Sequence, residues 1–115
     1  FFWGYENETG RGAGEGFNLN IPMERGTLIK DYCTSLETAL RRVSDFKPDV
    51  LVLAAGLDIA VDDPFKGFAI ATPEFATIGY MISQLALPTL VVQEGGYPSP
   101  SLGLNLASLL KGLGA

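Results

Sequence analysis

Two short apolar runs constrain this fold more than any other part of the chain: Asp49-Val50-Leu51-Val52-Leu53-Ala54 and Thr89-Leu90-Val91-Val92. Neither alternates apolar with polar residues, which is the pattern of parallel strands covered on both faces. Between them lies a helical pattern long enough to return the chain for a right-handed βαβ crossover. The expected fold class is therefore α/β with a parallel sheet. In such sheets reactive groups gather just beyond the carboxyl ends of the strands. Asp58 follows the first run closely, and Glu94-Gly95-Gly96-Tyr97 follows the second. These are the first residues to suspect of a function.

A chain of 115 residues holds one domain with a real core, spanning residues 1–115, and not two. With 47% hydrophobic residues it is not a disordered chain. A net charge of −5 without any basic run argues against nucleic acid or an anionic membrane surface as partner. No apolar stretch approaches the ~20 residues of a membrane span. The single Cys33 has no internal disulfide partner and falls inside a helical pattern, so it reads as a packing thiol. Together these features fit a cytoplasmic protein. The chain contains no histidine, which removes the commonest general base and the commonest metal ligand. Its opening, Phe1-Phe2-Trp3, has no initiating Met and no signal-peptide character, and the expectation is a chain cut from something longer.

Gly10, Gly12, Gly14 and Gly16 alternate with other residues and demand a tightly folded loop. A dinucleotide site would need a strand before these glycines and a helix after them. Here a short extended piece follows and stops at Pro22, so that reading is set aside. Thr27 is expected to cap a helix running to about Phe46, with Leu28, Ile29, Tyr32, Leu36, Leu40 and Val43 on its inner face. Thr72-Pro73-Glu74, with the Thr72 hydroxyl as cap, and Ser99-Pro100 are the starts of two further helices. Asp62 and Asp63 read as turn and cap residues before Pro64. For Asp58 both a turn role and a functional carboxylate stand open. Two strands and three amphipathic helices leave apolar sheet uncovered, so further strands are expected from missing sequence or from another chain.

Should the strand-end crevice be a site, Asp58 offers a hard oxygen ligand or a proton acceptor. Tyr97 offers a phenol able to donate to an oxyanion. Gly95 and Gly96 let a substrate approach the backbone closely, and Glu94 is a candidate second acid.

Taken together the residues are more specific. Four blocks occur in order. The first is Glu8-Thr9-Gly10-Arg11-Gly12-Ala13-Gly14-Glu15-Gly16 leading to Asn20-Ile21-Pro22, and the second is Ala55-Gly56-Leu57-Asp58 with Asp63-Pro64. The third is Thr72-Pro73-Glu74-Phe75 with Ile78-Gly79, and the fourth is Pro88-Thr89-Leu90-Val91-Val92-Gln93-Glu94-Gly95-Gly96-Tyr97. With these blocks the chain resembles the C-terminal part of zinc-dependent deacetylases of the histone deacetylase / acetylpolyamine amidohydrolase family.

The resemblance implies a three-layer parallel sheet of the arginase/deacetylase type, of which this chain supplies the C-terminal part. It also implies hydrolysis of the acetyl amide of an acetylated polyamine or acetyl-lysine. By the same resemblance Asp58 matches a zinc ligand and Tyr97 the catalytic phenol that stabilises the tetrahedral oxyanion. Gly95 and Gly96 match the substrate-channel wall. An aromatic channel wall is expected near Phe1-Phe2-Trp3. The family's other zinc ligands and its general base are histidine-containing motifs, and its potassium sites lie in the same earlier region. None of these is present here. The chain is therefore expected to be inactive alone, carrying one zinc ligand and no potassium site. Two rivals stand beside this reading: a non-catalytic self-associating module, and one subunit of a split deacetylase. A homo-oligomer, or pairing with a missing N-terminal half, is expected.

Overall fold

The computed structural model describes residues 4–115, so the expectation placed on Phe1-Phe2-Trp3 lies outside the described residues. In chain order the elements are a short 3-10 turn at Gly12–Gly14, helix α1 at Ile29–Phe46 and strand β1 at Leu51–Ala55. Helix α2 at Glu74–Ser83, strand β2 at Thr89–Gln93 and helix α3 at Leu102–Leu113 follow. The two apolar runs form the two strands. They pair in parallel with Leu51 opposite Thr89, Leu53 opposite Val91 and Ala55 opposite Gln93. A single parallel bridge between Ala60 and Ile70 braces the long loop after β1.

Sheet geometry turns successive side chains to opposite faces. Leu51, Leu53 and Val91 point one way and pack on the core of Ala55, Leu57, Ala60, Ile70, Phe75, Ile78, Ile82 and Leu109. Val52, Leu90 and Val92 point the other way and are exposed, Val52 by 64% and Leu90 by 57%. The lack of alternation predicts a cover on both faces. This chain covers only one of them.

The caps differ from the expectation. Thr27 does not cap α1; its Oγ1 donates to the Glu24 carbonyl at 2.6 Å, and the N-cap is Leu28, which is exposed rather than on the inner face. Val43, also expected inward, lines a cavity of about 370 Å³ together with Phe17, Phe46 and Val50. Lys47 ends α1 in the left-handed conformation (φ 54°), its N–H bonding the Val43 and Ser44 carbonyls just before Pro48. Thr72 does not cap α2 either: its hydroxyl donates to Asn105 Oδ1 of α3 at 2.6 Å and accepts no N–H at the helix start. Glu74 instead reaches back to the Ala71 N–H at 2.7 Å, the acidic half of a capping box.

Helices α2 and α3 approach backbone to backbone. A Cβ on Gly79 would strike the Leu109 carbonyl, and one on Gly112 would strike the Ala76 carbonyl. The glycine-rich loop docks on α1 through Arg42, whose guanidinium donates to the Gly16 carbonyl, and through an edge-on Phe17–Phe46 pair at 5.9 Å. Arg42 is thus a tether between segments as well as a charge near the helix end.

Candidate strand-end site

The two loops that leave the strands meet. Glu94 N–H continues the ladder to the Ala55 carbonyl at 3.1 Å, and Leu57 N–H reaches the Gly95 carbonyl at 3.3 Å. That lateral stitching brings Asp58 against Gly95. A Cβ built on Gly95 would lie 3.1 Å from Asp58 Oδ1 and 3.3 Å from Oδ2, and one on Gly56 would lie 2.9 Å from Oδ1. The carboxylate therefore lies over two side-chain-free positions. Gly95 and Gly96 both have positive φ, +88° and +100°, a region where an L side chain is strained. A Cβ on Gly96 would also sit 2.8 Å from Leu57 Cβ and from Leu102 Cδ1.

Asp58 is half-buried, and its carboxylate makes no hydrogen bond among the described residues. A turn aspartate would bond the backbone nearby. The charge of Asp58 reaches Tyr32 of α1, a residue for which the sequence predicts only a core position. The Tyr32 phenol is pushed above its ordinary 10.0, first by burial and then by the charges of Cys33 and Asp58. The Cys33 thiol is also pushed up, by burial and then by Glu74, which keeps it a thiol and a poor nucleophile.

Tyr97 is partly exposed and lies edge-on to Phe65, with ring centroids 4.5 Å apart at 61°. Its backbone N–H is bound by Asp63, for which the sequence predicts a turn or cap role. Asp63 is 2% exposed; Oδ1 accepts the Phe65 N–H at 2.9 Å, and Oδ2 accepts the Tyr97 N–H at 3.0 Å. The first bond is the expected turn. The second crosses to the other loop, and nothing in the local sequence announces it. Asp62, the other member of the pair, accepts the Ser101 hydroxyl at 2.7 Å. Glu94 is exposed.

Zinc chemistry needs three protein donors and an open position. Among the described residues no three Cys, Asp or Glu side chains converge into a metal-binding group. Asp58 offers one donor and Asp63 is committed to backbone N–H groups, so these residues do not by themselves complete a zinc site.

A parallel α/β sheet with a carboxylate, two glycines and a tyrosine on the loops that leave its strand ends defines the class: an α/β protein with its candidate site at those strand ends. The chain belongs to the histone deacetylase family, residues 2–113 matching the Histone deacetylase domain. It is 41% identical over 112 residues to the acetylpolyamine amidohydrolase of Mycoplana ramosa, covering 97% of this chain and 33% of that protein. It is 35% identical over 111 residues to the polyamine deacetylase HDAC10 of Danio rerio, covering 93% of this chain and 16% of that protein. The crystal structure of acetylpolyamine aminohydrolase from Burkholderia pseudomallei superposes with a TM-score of 0.94 at 41% identity, over 99% of this chain and 33% of that one. The arginase/deacetylase-type architecture is thus that of its structural relatives. The chain spans about a third of the length of the acetylpolyamine amidohydrolases it matches.

Proposed function

We propose that this chain supplies the carboxylate-and-phenol part of a zinc-dependent amidohydrolase site that removes acetyl groups from acetylated polyamines or acetyl-lysine. In this reading it is the C-terminal portion of such an enzyme. The observation that carries the reading is the Asp58 carboxylate, without a hydrogen bond among the described residues, lying against Gly95 two residues before Tyr97. A carboxylate held in that state is available as an oxygen ligand. Asp58 would be one donor to zinc, a metal that supplies a Lewis acid and an activated water when its site is complete. The Tyr97 phenol would donate to the oxygen of the acetyl group as it gains charge. Gly95 and Gly96 would form the wall beside the acetyl group, since any side chain there meets Asp58 or Leu57. With no histidine in the sequence, the remaining ligands and the base must come from elsewhere, and the chain is inactive alone. The acidic chain with its single cysteine fits a cytoplasmic enzyme.

The test is complementation. The chain is co-expressed with the part of the Burkholderia pseudomallei relative that it does not match, and acetate release is measured from an acetylated diamine and from an acetyl-lysine peptide. Activity is expected only when both parts are present. Tyr97→Phe is expected to lower turnover on the order of 10²-fold, the cost of one oxyanion donor. A stable zinc-loaded complex that turns over normally with Tyr97→Phe refutes the role given to the phenol.

A second reading, a self-associating module, is favoured by one observation, the exposed apolar sheet face at Val52, Leu90 and Val92. The same face would serve pairing with a histidine-bearing half.

A further inference from the structure

The two glycines that precede Tyr97 have positive φ and no side chains, so the loop has little local means of fixing the phenol. Beyond the Leu57 N–H bond to the Gly95 carbonyl, the loop is held by the Asp62-Asp63 pair, one carboxylate on Tyr97 and the other on Ser101. Asp63 takes the Tyr97 N–H at 3.0 Å and the Phe65 N–H at 2.9 Å. It therefore sets the backbone of both members of the aromatic pair at once. Asp62 takes the Ser101 hydroxyl at 2.7 Å, and the Ser101 oxygen in turn accepts the Asn105 side-chain amide at 2.9 Å. Asn105, 1% exposed, accepts the Thr72 hydroxyl, which roots this arm between α2 and α3.

A turn at Asp63 needs only one acceptor oxygen. The second oxygen serves a residue 34 positions away and adds nothing to the turn. Among the described residues no cation pairs with Asp63, so its burial is compensated by N–H donors alone.

Resting on the reading of Tyr97 as the oxyanion donor, we propose that Asp63 is the positioning residue for Tyr97, with the Asp62–Ser101–Asn105 arm securing the far end of its loop. Asp63 touches no reacting atom. It acts through the backbone of the residue that does.

The tether is tested on the full, unaltered chain by NMR coupling through the hydrogen bonds to the Asp63 side-chain carbonyl carbon. Couplings are expected from both the Phe65 and Tyr97 amide nitrogens. A coupling from Phe65 without one from Tyr97 overturns the proposal and leaves Asp63 a turn residue. This readout stands whether or not Tyr97 is catalytic.

The consequence is tested in the complemented enzyme. Asp63→Asn keeps one acceptor and faces the other N–H with a donor. It is expected to lower kcat on the order of 10-fold with KM unchanged, one hydrogen bond's worth. In a Tyr97→Phe background the same substitution is expected to cost almost nothing further. Equal losses in both backgrounds would show a general structural effect and overturn the positioning role. Where Asp63→Asn does not fold, the hydrogen-bond couplings decide for Asp63, and Ser101→Ala, which removes the Asp62 and Asn105 links together, tests the far arm in the same cycle with the same two outcomes.

Discussion

At the scale of single residues, the site rests on where side chains are absent as much as on where they are present. Gly95 lets the Asp58 carboxylate lie flat against the second loop, and Gly96 lets that loop pass Leu57 and Leu102. Asp58 in turn acts on Tyr32, whose phenol burial and neighbouring charges push above the ordinary value of 10.0. The folded chain then holds that proton more tightly than the unfolded chain does. Tyr32 contributes its full share of stability below about pH 10, and that share is lost as pH rises from there through the folded value. Tyr32→Phe is expected to flatten the alkaline fall in the urea midpoint, because it removes that phenol and leaves every other group in place. An alkaline fall of the same size in both proteins would show that Tyr32 carries no such linkage.

At the scale of elements, the α2–α3 contact inverts an ordinary rule. Alanine in place of an exposed helical glycine normally stabilises by about 0.5–1 kcal/mol. At Gly112 the added methyl meets the Ala76 carbonyl, and at Gly79 it meets the Leu109 carbonyl, both backbone atoms that cannot turn aside. Overpacking of that kind costs about 1–3 kcal/mol, which outweighs the propensity gain. Gly112→Ala is therefore expected to lower the urea midpoint, while Gly103→Ala, in the same helix with open space around it, is expected to raise it. A rise in both would mean that the helices do not approach as closely as described. The helices themselves were legible from the sequence because apolar spacing and Pro-based starts are local signals, whereas the caps were not. Thr27 and Thr72 are good capping residues that found other partners, Glu24 and Asn105, once the chain had folded.

At the scale of the whole molecule, the two-stranded sheet is finished on one face only. Val52, Leu90 and Val92 form an apolar surface on strands whose far edges are unpaired among the described residues. Such a surface calls for a cover. The purified chain is expected to run heavier than its 12.3 kDa by sedimentation, and Leu90→Lys is expected to return it to that mass while keeping its helical circular dichroism. The same substitution is expected to weaken complementation by the histidine-bearing part. A monomer in the unaltered chain would dispose of self-association and leave pairing with that part as the use of the face.

The sequence by itself determined the strands, the helices and the four ordered blocks that identify the family, because these depend on short-range periodicity and on residue types at fixed spacing. It also placed Asp58 and Tyr97 at neighbouring strand ends, since parallel pairing of the two apolar runs brings those loops together. Only the tertiary structure decided which sheet face is covered, because lack of alternation says that both faces need a cover and not where the cover comes from. Only it showed that Asp63 reaches past its own turn to the Tyr97 N–H. A hydrogen bond between residues far apart in the chain leaves no local signature, and an aspartate before a proline is fully explained by the turn it makes.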